Sequence, residues 1–253
     1  MSWIVRRRRV FSKLLRWIGR TGLPGPRLEP PPRADRIAIL APHPDDESLG
    51  CGGTAALCAQ AGARVTAVVL TDGRRGDPGF EADPAQLARE REAESRAACA
   101  VLGWEAPIFL GRADQTLALD PQAGARLAEV LASLRPEVIF LPFLGDNHPD
   151  HLAVNRLLLR VWNDPATRIY GYEIWSPLHP NCVIDIGAAL ALKRRALECY
   201  RSQLARQALV DQALALNRYR GIYVPQPDGH AEAFFRATLA DYRSLFRDLH
   251  GRE

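Results

Sequence analysis

The chain has 253 residues, 47% of them apolar and 25% charged, which suits one soluble globular domain with a real core. Its net charge of +4 is unevenly spread: residues 1–36 carry ten Arg/Lys against Glu29 and Asp35, while the other 217 residues hold 23 basic and 27 acidic groups. A mildly acidic body behind a basic tail argues against nucleic acid as a partner, and five scattered cysteines without a C-x-x-C pair argue against a cysteine zinc site.

No apolar run is long enough to span a membrane, and the cysteines read as reduced core thiols of a cytoplasmic protein. In the tail, Ile4, Phe11, Leu14, Leu15 and Ile18 recur at helical spacing, with Arg9, Lys13, Arg16 and Arg20 opposite. Residues 3–20 thus read equally as a basic amphipathic helix on an anionic inner membrane face and as a solvated tail. Arg8-Arg9-Val10-Phe11-Ser12-Lys13 is similar to part of a twin-arginine signal. Against export, Arg16 and Arg20 interrupt the place of an apolar stretch, and no small-residue cleavage site follows. Pro24, Pro26 and Pro30 to Pro32 make a stiff linker, dividing the chain into a segment 1–35 and a domain 36–253.

Residues 36–40 are predicted as a buried strand, followed by a sharp turn and a helix over 47–61 that Gly62 closes. A β-branched strand over 65–71 ends at Asp72-Gly73, and a polar loop covers 74–82. Asp83-Pro84 offers an N-cap with proline at the first helical position, and Gln86 completes a capping box for a helix to about residue 102. A short strand over 107–110, a helix from Asp120-Pro121 through 134, a strand over 137–141 and a helix over 149–162 follow. Strands are expected over 168–175 and 183–186, and helices over 190–203 and 231–245. Repeated βα units predict one Rossmann-like α/β domain, a mostly parallel sheet with helices on both faces.

Two turns carry the chemistry. Ala41-Pro42-His43-Pro44-Asp45-Asp46-Glu47-Ser48-Leu49-Gly50 puts one imidazole and three carboxylates at the carboxyl end of a strand, where open α/β sheets place ligands. The Gly50-Cys51-Gly52-Gly53 run does not match the dinucleotide fingerprint. The second turn, Gly145-Asp146-Asn147-His148-Pro149-Asp150-His151, leaves its strand in the same way, so a parallel sheet brings both to one edge. His148 and His151 are three apart at a helix start and face one side. His43, Asp46 and one of these two histidines make a two-His, one-carboxylate set, the protein half of a catalytic zinc site. One carboxylate and one imidazole then remain for acid–base work and charge stabilisation.

His43-Pro44-Asp45-Asp46-Glu47 together with His148-Pro149-Asp150-His151 resembles the PIG-L / LmbE-like family of zinc-dependent N-acetylglucosaminyl deacetylases. The resemblance extends to Thr71-Asp72-Gly73, Arg91-x-x-Glu94 with Leu102-Gly103, Lys193 through Ser202-Gln203, and His230-Ala231-Glu232-Ala233-Phe234, about residues 36–235. It implies that His43, Asp46 and His151 hold Zn2+, with Fe2+ as an alternative occupant. It further implies that Asp45 is the general base, that a protonated His148 stabilises the oxyanion, and that the substrate is an N-acetylated amino-sugar conjugate.

Glu47 and Asp150 are expected to brace the turns and orient a histidine. Arg74 and Arg75, after the second strand, are expected to meet a phosphate or carboxylate of the substrate, and Asp114, after the third, sugar hydroxyls. Tyr172 and Trp175 belong either to the core or to a sugar-binding face. The rival readings are an amidase for a larger acyl group and a non-catalytic sugar- or lipid-binding module.

Overall fold

In the computed structural model the described residues run from 25 to 251, apart from 78, 80 and 81; the segment 3–20 lies outside them. Eight strands form one sheet: β1 (Arg27–Glu29), β2 (Arg36–Ala41), β3 (Arg64–Thr71), β4 (Ile108–Arg112), β5 (Val138–Pro142), β6 (Arg168–Tyr172), β7 (Cys182–Asp185) and β8 (Ala231–Thr238). Their order across the sheet is β1-β7-β8-β6-β5-β2-β3-β4. Every strand but β8 runs in one direction; β8 lies antiparallel between β6 and β7. The helices are α1 (Asp46–Gln60), α2 (Pro84–Val101), α3 (Pro121–Leu134), α4 (Pro149–Val161), α5 (Leu190–Leu197), α6 (Arg201–Leu204), α7 (Leu209–Arg220) and α8 (Leu239–His250).

The alternation of β2 shows why both sheet faces are covered. Ile37 and Ile39 point to a core shared with α1, α2, α5 and α7; Ala38 and Leu40 point to another shared with α3, α4 and α8. A strand buried on both faces reads as one apolar run, which is what residues 37–41 supply. Chain order reverses between β2 and β5: β2 leads through α1 to β3 on one side and pairs with β5 on the other. The crevice outside the carboxyl ends of these two strands is the switch point where doubly wound sheets bind ligands.

Helix α1 is broken at Cys51, whose backbone (φ −143°, ψ 15°) is not helical. A Cβ on Gly50 would lie 2.2 Å from the Tyr172 ring, so its glycine admits β6 against the helix. The run 50–53 therefore serves close packing.

Three sequence expectations change. Residues 231–245 are not one helix: β8 occupies the first half and α8 the second. Pairing on both edges, to β6 and β7, overrides the helical preference of Ala and Glu. The boundary is marked by Thr238, whose hydroxyl accepts from the Asp241 backbone N–H at 3.1 Å. The expected helix 190–203 is interrupted because Tyr200 turns inward to hydrogen-bond Glu47 and Ser48. The linker contributes β1, paired parallel with β7, and α7 fills a stretch that had no sequence signal. Among the described residues no helix is long and apolar enough to cross a membrane.

Candidate metal centre

The first corner is pinned at the end of β2. The Pro42 carbonyl accepts from both the backbone N–H and the hydroxyl of Thr71, at 2.9 and 2.8 Å. The chain then turns through Asp45, a non-glycine residue at φ 135°, a conformation that costs about 1–3 kcal/mol and clusters at functional sites. Asp45 occupies the N-cap position of α1, yet its side chain makes no capping bond. Instead Glu47 reaches back to accept from the Asp45 backbone N–H at 3.0 Å. Its other oxygen takes the Ser95 and Tyr200 hydroxyls, at 2.6 and 2.9 Å. Glu47 thus braces the turn, and the carboxylates of Asp45 and Asp46 stay available.

The second corner starts α4. The His148 Nδ1 accepts from the Asp150 backbone N–H at 3.2 Å, capping the helix with Pro149 in its first turn. That bond makes Nδ1 an acceptor and leaves Nε2 to carry the proton. Asp146 accepts from the backbone N–H groups of His148 and Trp175, both at 3.0 Å.

The corners meet. Asp46 Oδ2 lies 3.1 Å from His43 Nδ1 and 3.4 Å from His151 Nε2. Metal–ligand bonds of about 2.0–2.1 Å in a tetrahedron put neighbouring ligand atoms about 3.3–3.4 Å apart, so this spacing suits one divalent ion. The far side of each imidazole faces a carboxylate: His43 Nε2 is 3.1 Å from Asp150 Oδ2, and His151 Nδ1 is 3.4 Å from Asp146 Oδ1. That is the orienting arrangement of metal-binding histidines. His151 is fully buried, and neither ring nitrogen makes a well-formed hydrogen bond. His148 approaches too, since one ligand atom each from His43, His148 and His151 lie within 4.8 Å of one another.

The electrostatics ask for positive charge here. Burial alone lowers the His43 pKa, but hydrogen bonds to Asp150 and Asp46 outweigh it and hold the ring at about 10. Burial likewise opposes His151, but Asp46 and Asp146 raise it to about 9. Burial would raise Asp46; His151 and then His43 hold it well below the usual carboxylate range. The protein surrounds these imidazoles with carboxylates that favour protons or, equally, a metal cation. His148 moves the other way, lowered first by burial and then by the charges of His43 and His151. Both the lowered pKa and the Asp150 N–H bond to Nδ1 favour the neutral ring with its proton on Nε2.

Asp45 is buried beside the His43–Asp46–His151 cluster, with Arg91 Nη2 donating to its Oδ2 at 3.0 Å. Desolvation raises it to about 7 against the pull of Arg91, and Asp46 and Glu47 add to the rise. Arg91, itself buried, also donates to the Gly73 and Pro44 carbonyls. These corners open into a cavity of about 380 Å³ that Asp45, Asp46, His43, His148, Arg75 and Asp114 help to line. Asp114 accepts from the backbone N–H groups of Gly73 and Arg75, at 2.9 and 2.8 Å, fixing the loop after β3. Arg75 lines the cavity and donates to Gln115, whereas Arg74 pairs with Asp72 and does not line it. Tyr172 is buried in the core and Trp175 lines the cavity.

Arg91 and Asp146 take positions in the site that their sequence motifs alone do not reveal. Asp146 was visible as a carboxylate five residues before His151, and Arg91 only as part of Arg91-x-x-Glu94, with nothing local to set it apart from Arg89 and Arg96 on the same helix.

A family model described as PIG-L, GlcNAc-PI de-N-acetylase, matches residues 38–162, which contain both corners. A 1D-myo-inositol 2-acetamido-2-deoxy-alpha-D-glucopyranoside deacetylase of Kineococcus radiotolerans is 34% identical over 159 residues, covering 50% of this chain and 44% of that one. A diacetylchitobiose deacetylase of Thermococcus kodakarensis is 27% identical over 187 residues, covering 66% and 70%. The chain spans about half the length of the inositol glucosaminide deacetylases it matches. Among solved structures, a conserved protein of Thermus thermophilus superposes with a TM-score of 0.68 at 33% identity, covering 80% of this chain and 94% of that one. The chain belongs to the PIG-L family.

Proposed function

We propose that the protein is a zinc-dependent deacetylase that removes the N-acetyl group from an N-acetylglucosamine-type sugar conjugate. The observation that carries this reading is the grouping of His43, Asp46 and His151 around one position, with a buried, unligated Asp45 beside it. The names of the relatives support the substrate class. When bound, a divalent ion there supplies Lewis-acid stabilisation and makes water nucleophilic near neutral pH; the same donors also suit Fe2+.

The chain's own residues divide the remaining work. Asp45, with its pKa at about 7, is matched to neutral proton transfer. It takes a proton from the attacking water as the C–O bond forms at the acetyl carbonyl. It returns that proton to the amide nitrogen as the C–N bond breaks, releasing acetate and the free amine. Arg91 holds the carboxylate in place through both steps. His148 offers Nε2–H from its capping position to the oxygen that gains charge. The donor Arg75 stands at the cavity wall for a polar group of the conjugate.

The test is metal analysis of the purified protein, followed by amine release from a panel of N-acetylglucosaminides and their longer N-acyl counterparts. One divalent ion per chain, lost in His43→Ala, and acetate release at the fastest rate are expected. Faster release of a longer acyl group would make the protein an amidase of another class, and sugar binding without metal or turnover would make it a binding module.

A further inference from the structure

The cavity has a second half that the deacetylation chemistry does not use. Helix α7 presents Leu209, Ala213 and Leu216 to it, residues spaced four and three apart on one face of the helix. Leu214, Asn217 and Arg220 of the same helix are buried against the body. Ile174 and Trp175, just past the end of β6, and Leu49 of α1 line the same cavity. Trp175 keeps 60% of its surface exposed although its backbone N–H is tied to Asp146.

The α7 stripe and the Ile174–Trp175 wall are braced against each other. Arg220, at the end of α7, donates to both oxygens of Glu173 at 2.8 and 2.7 Å and to the Leu178 carbonyl at 3.0 Å, all buried. A bidentate pair of this kind fixes orientation as well as distance, so the apolar half is held open as a preformed site. Leucine and alanine side chains offer no partner to sugar hydroxyls, whose burial without hydrogen bonds is unfavourable. Against the stripe itself a second sugar ring is therefore a poorer occupant than an apolar group, while Gln203, Arg206, Gln207 and Gln212 supply the polar part of the lining around it.

Building on the deacetylase reading, we infer that the substrate carries an apolar aglycone, alkyl or aryl, that lies between the α7 stripe and the Ile174–Trp175 wall while the N-acetyl group sits at the metal corner. The physical basis is burial of apolar surface in a preformed cavity continuous with the reacting centre.

The metal-loaded full chain is assayed with methyl, phenyl and octyl β-N-acetylglucosaminides and with N,N'-diacetylchitobiose. The expected result is a kcat/KM at least tenfold higher for the octyl or phenyl glycoside than for the methyl glycoside, carried by KM; the two separate an alkyl from an aryl preference. In Leu216→Asn and Ala213→Asp, checked for folding by their unfolding midpoints, that ratio falls towards one. A parental ratio within twofold of one, a disaccharide that outperforms both apolar glycosides, or a ratio unchanged in both folded variants overturns the inference. Loss of turnover on every probe refutes the deacetylase reading instead. The subsite is then judged by calorimetric affinity for octyl against methyl glycoside, where a tenfold difference supports it and equal affinities overturn it.

Discussion

The break in α1 makes a strong prediction about Lys193 and Glu232. At Cys51 the helical ladder is interrupted, so the Gly53 and Thr54 N–H groups lose their usual acceptors four residues back. Glu232 on β8 supplies both, accepting from Gly53 and Thr54 at 2.8 Å each. Lys193 on α5 donates to the Leu49 carbonyl, the one Gly53 would otherwise use, at 2.8 Å, and to Glu232 at 2.6 Å. Both side chains are fully buried. Removing one member of such a pair leaves a buried charge uncompensated, a loss of about 3–5 kcal/mol, and in Glu232→Ala two backbone donors are orphaned as well, at about 1–3 kcal/mol each. Against a whole-domain stability of about 5–15 kcal/mol, Glu232→Ala should barely fold. Lys193→Met and Glu232→Gln should each lose about 3–5 kcal/mol in urea unfolding. The double variant removes both charges but keeps an amide oxygen for Gly53 and Thr54. It should cost less than the sum of the singles, with a coupling of about 2–3 kcal/mol. Single losses below about 1 kcal/mol, or additive behaviour in the double variant, would refute the view that this pair carries the interrupted ladder.

Metal uptake at pH 7 should release close to two protons, because His43 and His151 are held at about 10 and about 9 by their carboxylates; calorimetry in buffers of different ionisation enthalpy counts them, and release near zero contradicts the assigned ligands. Asp146→Asn should weaken metal affinity about 10–100-fold, read by competition with a chelating dye, whereas an unchanged affinity would make its contact with His151 incidental. Asp45→Asn should keep the metal and lose about 10²–10⁴ in kcat, an outcome checked by metal content and amine release on the same sample. In the metal-free protein a carboxyl raised to about 7 costs stability as pH climbs from its unfolded value towards 7. Asp45→Asn should therefore gain on the parent across that window by on the order of 4 kcal/mol and hold the gain above it. A pH-independent difference in unfolding free energy would remove the burial argument for Asp45.

The parallel core and the two acidic–imidazole turns were legible for the same reason: both depend on local chain chemistry. The apolar run at 37–41, the Asp-Pro helix starts at 83 and 120, and the His–carboxylate spacings of the two turns each report their own conformation. The sheet then determines that the turns meet. What was hidden depends on partners far along the chain. Residues 231–238 become a strand only because β6 and β7 offer two edges. The helix expected over 190–203 breaks because Tyr200 is drawn 152 positions away to Ser48. Arg91 acquires its role from Asp45, 46 positions distant. Arg74 and Arg75 are adjacent and chemically alike, yet only the second lines the cavity, since Asp72 captures the first.

The arrangement around Asp45 shows how the fold keeps a carboxylate off the backbone donors at a position that helices normally consume. An aspartate at an N-cap usually spends its carboxylate on the first backbone donors. Here the turn takes Asp45 to φ 135°, aiming the side chain away from the helix, and Glu47 satisfies the Asp45 N–H from two residues ahead. The strain of that backbone, about 1–3 kcal/mol, is offset by Glu47 being fixed in turn by Ser95 and Tyr200, and by Arg91 tying the carboxylate to the Pro44 and Gly73 carbonyls. Desolvation then lifts the carboxyl to about 7 while its neighbour Asp46, pressed against two imidazoles, stays ionised. Two adjacent aspartates thus acquire proton affinities shifted in opposite directions by their surroundings alone, the division that the proposed roles of base and metal ligand require.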